Sequence, residues 1–285
     1  MDGTSMTPRK PRLDGKVAVV TGAGTQSDVA GTGQATAVLL AREGAKVLLA
    51  DRSAENAGRT LAVIEEEGGT ASVFAGDVTR SDDCRAMTET AVERYGGLHI
   101  LFNNVGLSYP GTVVDVQEAH WDEIMAVNLK AKMLASRFSI PAMMDSGGGS
   151  IINVASIDGF RSGWSYNVAY ETSKGGVIAL TINMAVQHGR DGIRVNCIAP
   201  GHLHGSFTAG LSDAHRELRW RSTPLGTEGT AWDVAHAAVF LAGDESRWIT
   251  GVTLPVDAGS SIALPLSVLP RDEGGILPDA ESARY

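Results

Sequence analysis

Short, continuously apolar runs bounded by turn residues alternate along this chain with longer segments of helical periodicity, and that rhythm leaves few folds open. The runs are Lys16–Thr21, Ala45–Ala50, Ala71–Ala75, His99–Phe102, Ser150–Val154, Ile193–Ile198 and Gly251–Val256. Their hydrophobicity is continuous rather than alternating, so both faces of each strand must be covered, as in a parallel sheet between helical layers. Gly33–Glu43, Ala54–Glu67, Asp82–Tyr95, Glu118–Met144, Ala169–His188 and Thr230–Ala242 read as the covering helices. Gly44, Gly96 and Gly189 stand where three of them should stop. The pattern predicts an α/β protein with a doubly wound, seven-stranded parallel sheet and its ligand at the carboxyl ends of the strands. At 285 residues nothing forces a second unit. One domain is expected over residues 12–260, with tails at 1–11 and 261–285 rich in Pro, Gly and charge.

Composition narrows the partners. No uninterrupted apolar stretch reaches the length of about 18 residues that a membrane helix needs, and Met1–Arg12 is polar, so an unexported protein off the membrane is expected. Cys84 and Cys197 lie far apart, and Cys197 falls in an apolar run; a disulfide framework is not expected, and a cytoplasmic setting fits. The net charge of −9 has no basic block to offset it, which argues against nucleic acid and anionic membranes and for a small-molecule substrate.

The first strand runs into Thr21-Gly22-Ala23-Gly24, and a further loop leads to Gly31-Thr32-Gly33 at the head of a helix. Backbone N–H groups and a helix N-terminus then meet where a pyrophosphate can lie. Asp51 follows the second strand, where a carboxylate accepts from ribose hydroxyls or, alternatively, caps the next helix. A carboxylate there repels a 2′-phosphate and favours NAD over NADP, whereas the neighbouring Arg52 is able to reach such a phosphate.

The chemistry is concentrated in Tyr170-Glu171-Thr172-Ser173-Lys174, preceded by Ser156. Residues four apart share a helix face, so the Lys174 ammonium sits beside the Tyr170 phenol and favours its ionised form. Moving a phenol from about 10 to about 7 takes roughly 4 kcal/mol of preferential phenolate stabilisation. A near cation supplies about 1 to 3 pKa units of that, and an oxidised nicotinamide ring adds more.

In the order of these motifs the chain resembles the short-chain dehydrogenase/reductase family over roughly Leu13 to Gly259. The resemblance implies a Rossmann fold and a homotetramer built on the two longest helices. It implies that Gly22, Gly24, Gly31 and Gly33 cradle the cofactor phosphates, that Asp51 and Arg52 stand at the adenosine ribose, and that Asp77 and Val78 border the adenine. Asn104, Val105 and Gly106, together with Pro200 and Gly201, would flank the nicotinamide end. Asn128 would hold a water relay, Ser156 would hydrogen-bond the substrate oxygen, and Tyr170 would exchange its proton. Lys174 would tune Tyr170 while binding the nicotinamide ribose. The implied reaction is NAD-dependent interconversion of a secondary alcohol, cyclic or diol substrates included, with its ketone.

Three departures from the family pattern stand out. Gln26-Ser27-Asp28 lengthen the phosphate loop, and Asp28 is expected to face outward. Gly205 replaces the usual threonine after Pro200-Gly201, with Ser206 and Thr208 as substitute hydroxyls. The Ser156 to Tyr170 interval is one residue longer than is commonest in the family, which makes Tyr166 a rival phenol, but Tyr166 has no lysine four residues on. Enoyl-thioester reductases of the superfamily space their tyrosine and lysine farther apart, so this spacing favours carbonyl chemistry. Substrate identity is expected in 107–112, 158–164 and 202–223, with Asp158 accepting from a second hydroxyl. His202 and His204 lack a third ligand, so no metal is expected. A dinucleotide-binding sensor or scaffold without turnover and an epimerase acting through transient oxidation are the other functions considered.

Overall fold

The computed structural model describes residues 10–162 and 166–264. Most of the expected tails, 1–9 and 265–285, and the Trp164 stretch of the substrate loop lie outside the described residues. In chain order the elements are β1 Val17–Thr21, α1 Thr32–Arg42, β2 Lys46–Asp51, α2 Ala54–Glu66, β3 Thr70–Ala75, α3 Ser81–Tyr95, β4 Ile100–Asn103, α4 Glu118–Met125 and α5 Ala131–Asp145. There follow β5 Gly149–Val154, α6 Val168–His188, β6 Ile193–Pro200, β7 Leu203–His204, α7 Asp213–Arg221, β8 Gly229–Thr230, α8 Ala231–Ala242 and β9 Thr253–Val256.

Seven strands pair in parallel in the order β3-β2-β1-β4-β5-β6-β9. The order reverses between β1 and β4, so the loops leaving these two strands diverge and open a crevice at their carboxyl ends. All five residues of β1 are buried, as a strand covered on both faces requires. Pro255 has no N–H for a ladder and is tolerated because β9 pairs only with β6 and leaves its other edge free. One core joins the sheet to α1, α2 and α8 through residues such as Leu40, Ile64 and Val239. The other joins the opposite face to α3, α5 and α6 through Met87, Leu134 and Met184.

Two expectations change. The helix expected over Glu118–Met144 is interrupted by a π-helical stretch, Ala126–Lys130, between α4 and α5. Such a bulge arises where a side chain has a stronger partner than helical regularity allows, and here Asn128 is held by the backbone of Leu107. The helix α6 does end before Gly189, but Gly189 keeps φ −61° and Gly192, at φ +77°, takes the left-handed position after a tight turn.

Candidate active site

Around the crevice lies a cavity of about 700 Å³. The loops after β1, β4, β5 and β6 each supply part of its wall, including Gly22, Asn104, Ser156 and Pro200. Val105, Gly106, Tyr170, Lys174 and Gly201 line it as well. Of the residues expected at the cofactor, Gly24, Gly31, Gly33, Asp51, Arg52, Asp77 and Val78 stand outside this wall.

At the nucleotide end the backbone is drawn tight. A Cβ on Gly33 would overlap the Gly22 carbonyl and come within 2.8 Å of Asn104 Nδ2, so only glycine lets α1 start this close to the turn. Asn104 Nδ2 donates to the Gly22 carbonyl at 3.2 Å, tying the β4 exit to the turn. Gly33→Ala is therefore expected to displace the turn and weaken dinucleotide binding at least roughly tenfold, a loss of about 1.4 kcal/mol, read by titration of reduced-dinucleotide fluorescence. Unchanged affinity would show that the turn does not form the phosphate cradle.

Asp51 stands at the end of β2, accepting from Gly24 N–H through Oδ2 and from Ser53 N–H through Oδ1, both at 2.9 Å. The cap of α2 is Ser53, whose hydroxyl accepts from Asn56 N–H, so Asp51 shapes the glycine turn rather than the helix. Arg52 is exposed beside it, and Asp28 in the lengthened loop is exposed too. Asp77 lies beyond β3, where two bonds from Thr79 help to hold its carboxyl below the usual range against the opposing effect of burial. The Val78 carbonyl accepts from the Cys84 thiol.

At the chemical end, α6 begins just ahead of Tyr170 and carries Lys174 one turn further on, with its Nζ 5.3 Å from the Tyr170 ring centroid. Lys174 is 3 % exposed and its Nζ donates to the Val154 carbonyl at 3.1 Å. Burial lowers its pKa to about 8. The expected acidic phenol does not arise from the protein alone: burial pushes Tyr170 up to about 12, the Ser156 hydroxyl opposes this, and Asp158 adds to it. Desolvation outweighs a lysine that lies against the ring rather than at the oxygen.

Ser156 is buried at the end of β5, and its Oγ accepts from Asp158 N–H. Asn128 does not face the cavity. Its Oδ1 accepts from Leu107 N–H at 2.8 Å, and its Nδ2 donates to the Leu107 carbonyl and to Ser173 Oγ. Both Nδ2 hydrogens are thereby engaged, and Oδ1 keeps one lone pair. The rival phenol, Tyr166, is 72 % exposed and lies outside the cavity wall. Thr208 is bonded within its own turn to Leu203 and Gly205, whereas Ser206 lines the cavity against Gly31, so Ser206 is the freer of the two substitute hydroxyls. His202 lines the cavity with its pKa lowered by burial.

Sequence reasoning missed two cations. Lys132 is 2 % exposed on α5, donates to the Val105 carbonyl at 2.7 Å and faces Lys174 from below; burial holds its pKa well under the usual lysine value. Arg219 of α7 lines the cavity beside Asp158 and His202.

Residues 27–261 match a family model described as enoyl-(acyl carrier protein) reductase. The chain is 36% identical over 248 residues to 3-oxoacyl-(acyl-carrier-protein) reductase of Thermotoga maritima, covering 87% of this chain and 98% of that protein. It is 36% identical over 253 residues to 2,5-dichloro-2,5-cyclohexadiene-1,4-diol dehydrogenase of Sphingobium indicum, covering 89% of this chain and 99% of that one. This chain belongs to the short-chain dehydrogenase/reductase family. A solved short-chain dehydrogenase/reductase from Burkholderia xenovorans superposes with a TM-score of 0.86 at 37% identity, covering 89% of this chain and 99% of that one. As a member of this family the protein is an oxidoreductase acting on CH–OH groups with a nicotinamide dinucleotide. Among the described residues no helix is long and apolar enough to cross a membrane.

Proposed function

We propose that this protein interconverts a secondary alcohol and its ketone, with Tyr170 as the proton carrier and NAD as the preferred cofactor. The observation that carries this reading is the convergence of Ser156, Tyr170 and Lys174 on one cavity that also takes in the glycine turn. The close approach of Gly33 to the Gly22 carbonyl, which sets the N-terminus of α1 against the turn after β1, fits the phosphates of a dinucleotide. When bound, the cofactor supplies the hydride acceptor and, in its oxidised form, a positive ring.

Everything else falls to side chains of this chain. Ser156 donates to the substrate oxygen and fixes it against the phenol. In oxidation the Tyr170 phenolate takes the hydroxyl proton as the carbinol C–H bond breaks; in reduction the phenol returns a proton to the carbonyl oxygen. Lys174 holds positive charge under the phenol, and Asn128 holds the water through which protons pass onward. Asp158, half-buried two residues from Ser156, accepts from a second hydroxyl of a diol. Exposed Ile182 and Val186 on α6 and Met133 on α5 are apolar positions suited to contacts between copies in a homotetramer.

The test is formation of reduced dinucleotide by absorbance across secondary alcohols, cyclic diols and hydroxysteroids, with NAD beside NADP. Tyr170-dependent turnover is expected; tight cofactor binding without turnover of any alcohol would favour the sensor. Asp51→Ala removes the charge that repels a 2′-phosphate, worth about 4 kcal/mol for charges about 4 Å apart at an effective dielectric near 20. It is expected to shift the NADP-to-NAD ratio of kcat/KM upward by about a hundred- to a thousandfold, and an unmoved ratio would remove Asp51 as the discriminator.

A further inference from the structure

The helix α7 carries three arginines, and their surroundings differ. Arg216 is doubly bonded to Glu228 and pairs with Asp213, and Arg221 pairs with Glu217 and lies over Trp220. Arg219 is turned into the cavity wall and half-buried, and among the described residues its guanidinium makes no hydrogen bond or salt bridge. A guanidinium carries five N–H donors and no acceptor, so withdrawing it from water without a partner is unfavourable. Its planar fork matches a carboxylate with two parallel bonds.

The groups around Arg219 place it at the substrate end. Its charge is felt by Glu228, whose carboxylate is bonded to Arg216, and by Asp158 and His202, which adjoin Ser156 and Pro200-Gly201. Asp158 lies beyond salt-bridge distance of Arg219; burial and Glu171 raise its pKa, and Arg219 opposes the rise. Burial and the nearby guanidinium keep His202 toward its neutral form. Phe207, stacked 6.5 Å from the Tyr170 ring, and Leu211 give the same end an apolar wall. Lys174 is committed beneath the phenol, which leaves Arg219 as the positive charge that faces substrate.

We propose that Arg219 determines substrate preference by binding a carboxylate on the substrate, so that the protein acts on hydroxy acids and the corresponding keto acids in preference to their uncharged counterparts. This rests on the alcohol–ketone reading of the site. The test uses matched pairs, cyclic and linear hydroxy acids against their carboxamides, beginning with 3-hydroxycyclohexanecarboxylate and its amide. Reduced-dinucleotide formation gives kcat/KM, and calorimetry of the matching keto acid and keto amide on the full chain with reduced dinucleotide gives affinity without turnover. The wild type is expected to prefer the acid by roughly ten- to hundredfold, the size of one charge-assisted bidentate contact. Arg219→Gln is expected to abolish the preference, with the acid constants falling far more than the amide constants, and Arg219→Lys to keep part of it.

No acid preference in any pair for the wild type, or a preference that survives Arg219→Gln, overturns the inference. Arg219-dependent binding of acids with no reduced dinucleotide formed keeps the anion site and rejects the dehydrogenase. Tyr170-dependent turnover of amides with no acid preference does the reverse.

Discussion

Tyr170→Phe is expected to lower turnover by about a hundred- to ten-thousandfold, the usual contribution of a positioned acid–base group, while leaving cofactor affinity nearly unchanged. Only the hydroxyl is lost; the ring keeps its place over Lys174 and against Phe207. The structural cost is one hydrogen bond toward Ser156, about 1 kcal/mol, so the melting temperature should fall by no more than about 4 °C. The pH dependence follows from the direction of the shift. Burial raises the phenol to about 12, so at neutral pH it holds its proton and is ready to donate it to a ketone oxygen. Oxidation needs the phenolate and should accelerate as pH rises, whereas reduction should slow. Both trends should vanish in Tyr170→Phe; if either persists, another group carries the proton.

Lys174→Met is expected to abolish turnover and yet stabilise the fold. The ammonium is 3 % exposed, and a single carbonyl, that of Val154, accepts from it. Its pKa of about 8 lies below the ordinary value of 10.5, so the folded protein binds this proton less tightly than the unfolded chain. The penalty is therefore present in full below pH 8, shrinks between pH 8 and 10.5 and is gone above that range. At about 1.4 kcal/mol per pKa unit it amounts to about 3 kcal/mol, less about 1 kcal/mol for the lost hydrogen bond. Methionine fills a similar volume, and its substitution also relieves the repulsion felt by Lys132. A melting temperature several degrees higher at pH 6.5, with the gain gone above pH 10.5, is the expected result. Lower stability at both pH values would mean that the ammonium is held by more than the Val154 carbonyl.

The central strands were legible because they are buried on both faces and read as unbroken apolar runs, β1 and β4 most plainly, whereas the edge strands β3 and β9 are only partly buried. The glycine turn and the Tyr170–Lys174 pair were legible for a related reason: each is set by local spacing, one by a backbone that tolerates no Cβ at Gly33, the other by a single helical turn. What failed to show in the sequence depends on contacts between distant segments. Nothing near Asn128 announces that Leu107 will bind it and that the helix will bulge in response. Lys132 reads as an ordinary polar position of an amphipathic helix until the Val105 carbonyl is placed above it. Arg219 is one of three arginines in a polar helix, and only the packing of α7 against the cavity distinguishes it. The burial that raises the Tyr170 phenol in the protein alone is hidden for the same reason, since neighbours along the chain do not report desolvation.

The most direct measurement follows the carbinol hydrogen itself. Secondary alcohols deuterated at that carbon, cyclic diols and hydroxy acids among them, are incubated with the protein and oxidised dinucleotide, and the reduced cofactor is examined by NMR. Deuterium at C4 of the nicotinamide in the wild type, with no label transferred by Tyr170→Phe, is the expected result. Deuterium retained in every alcohol while the dinucleotide binds, or label lost to water, would contradict hydride transfer at this site.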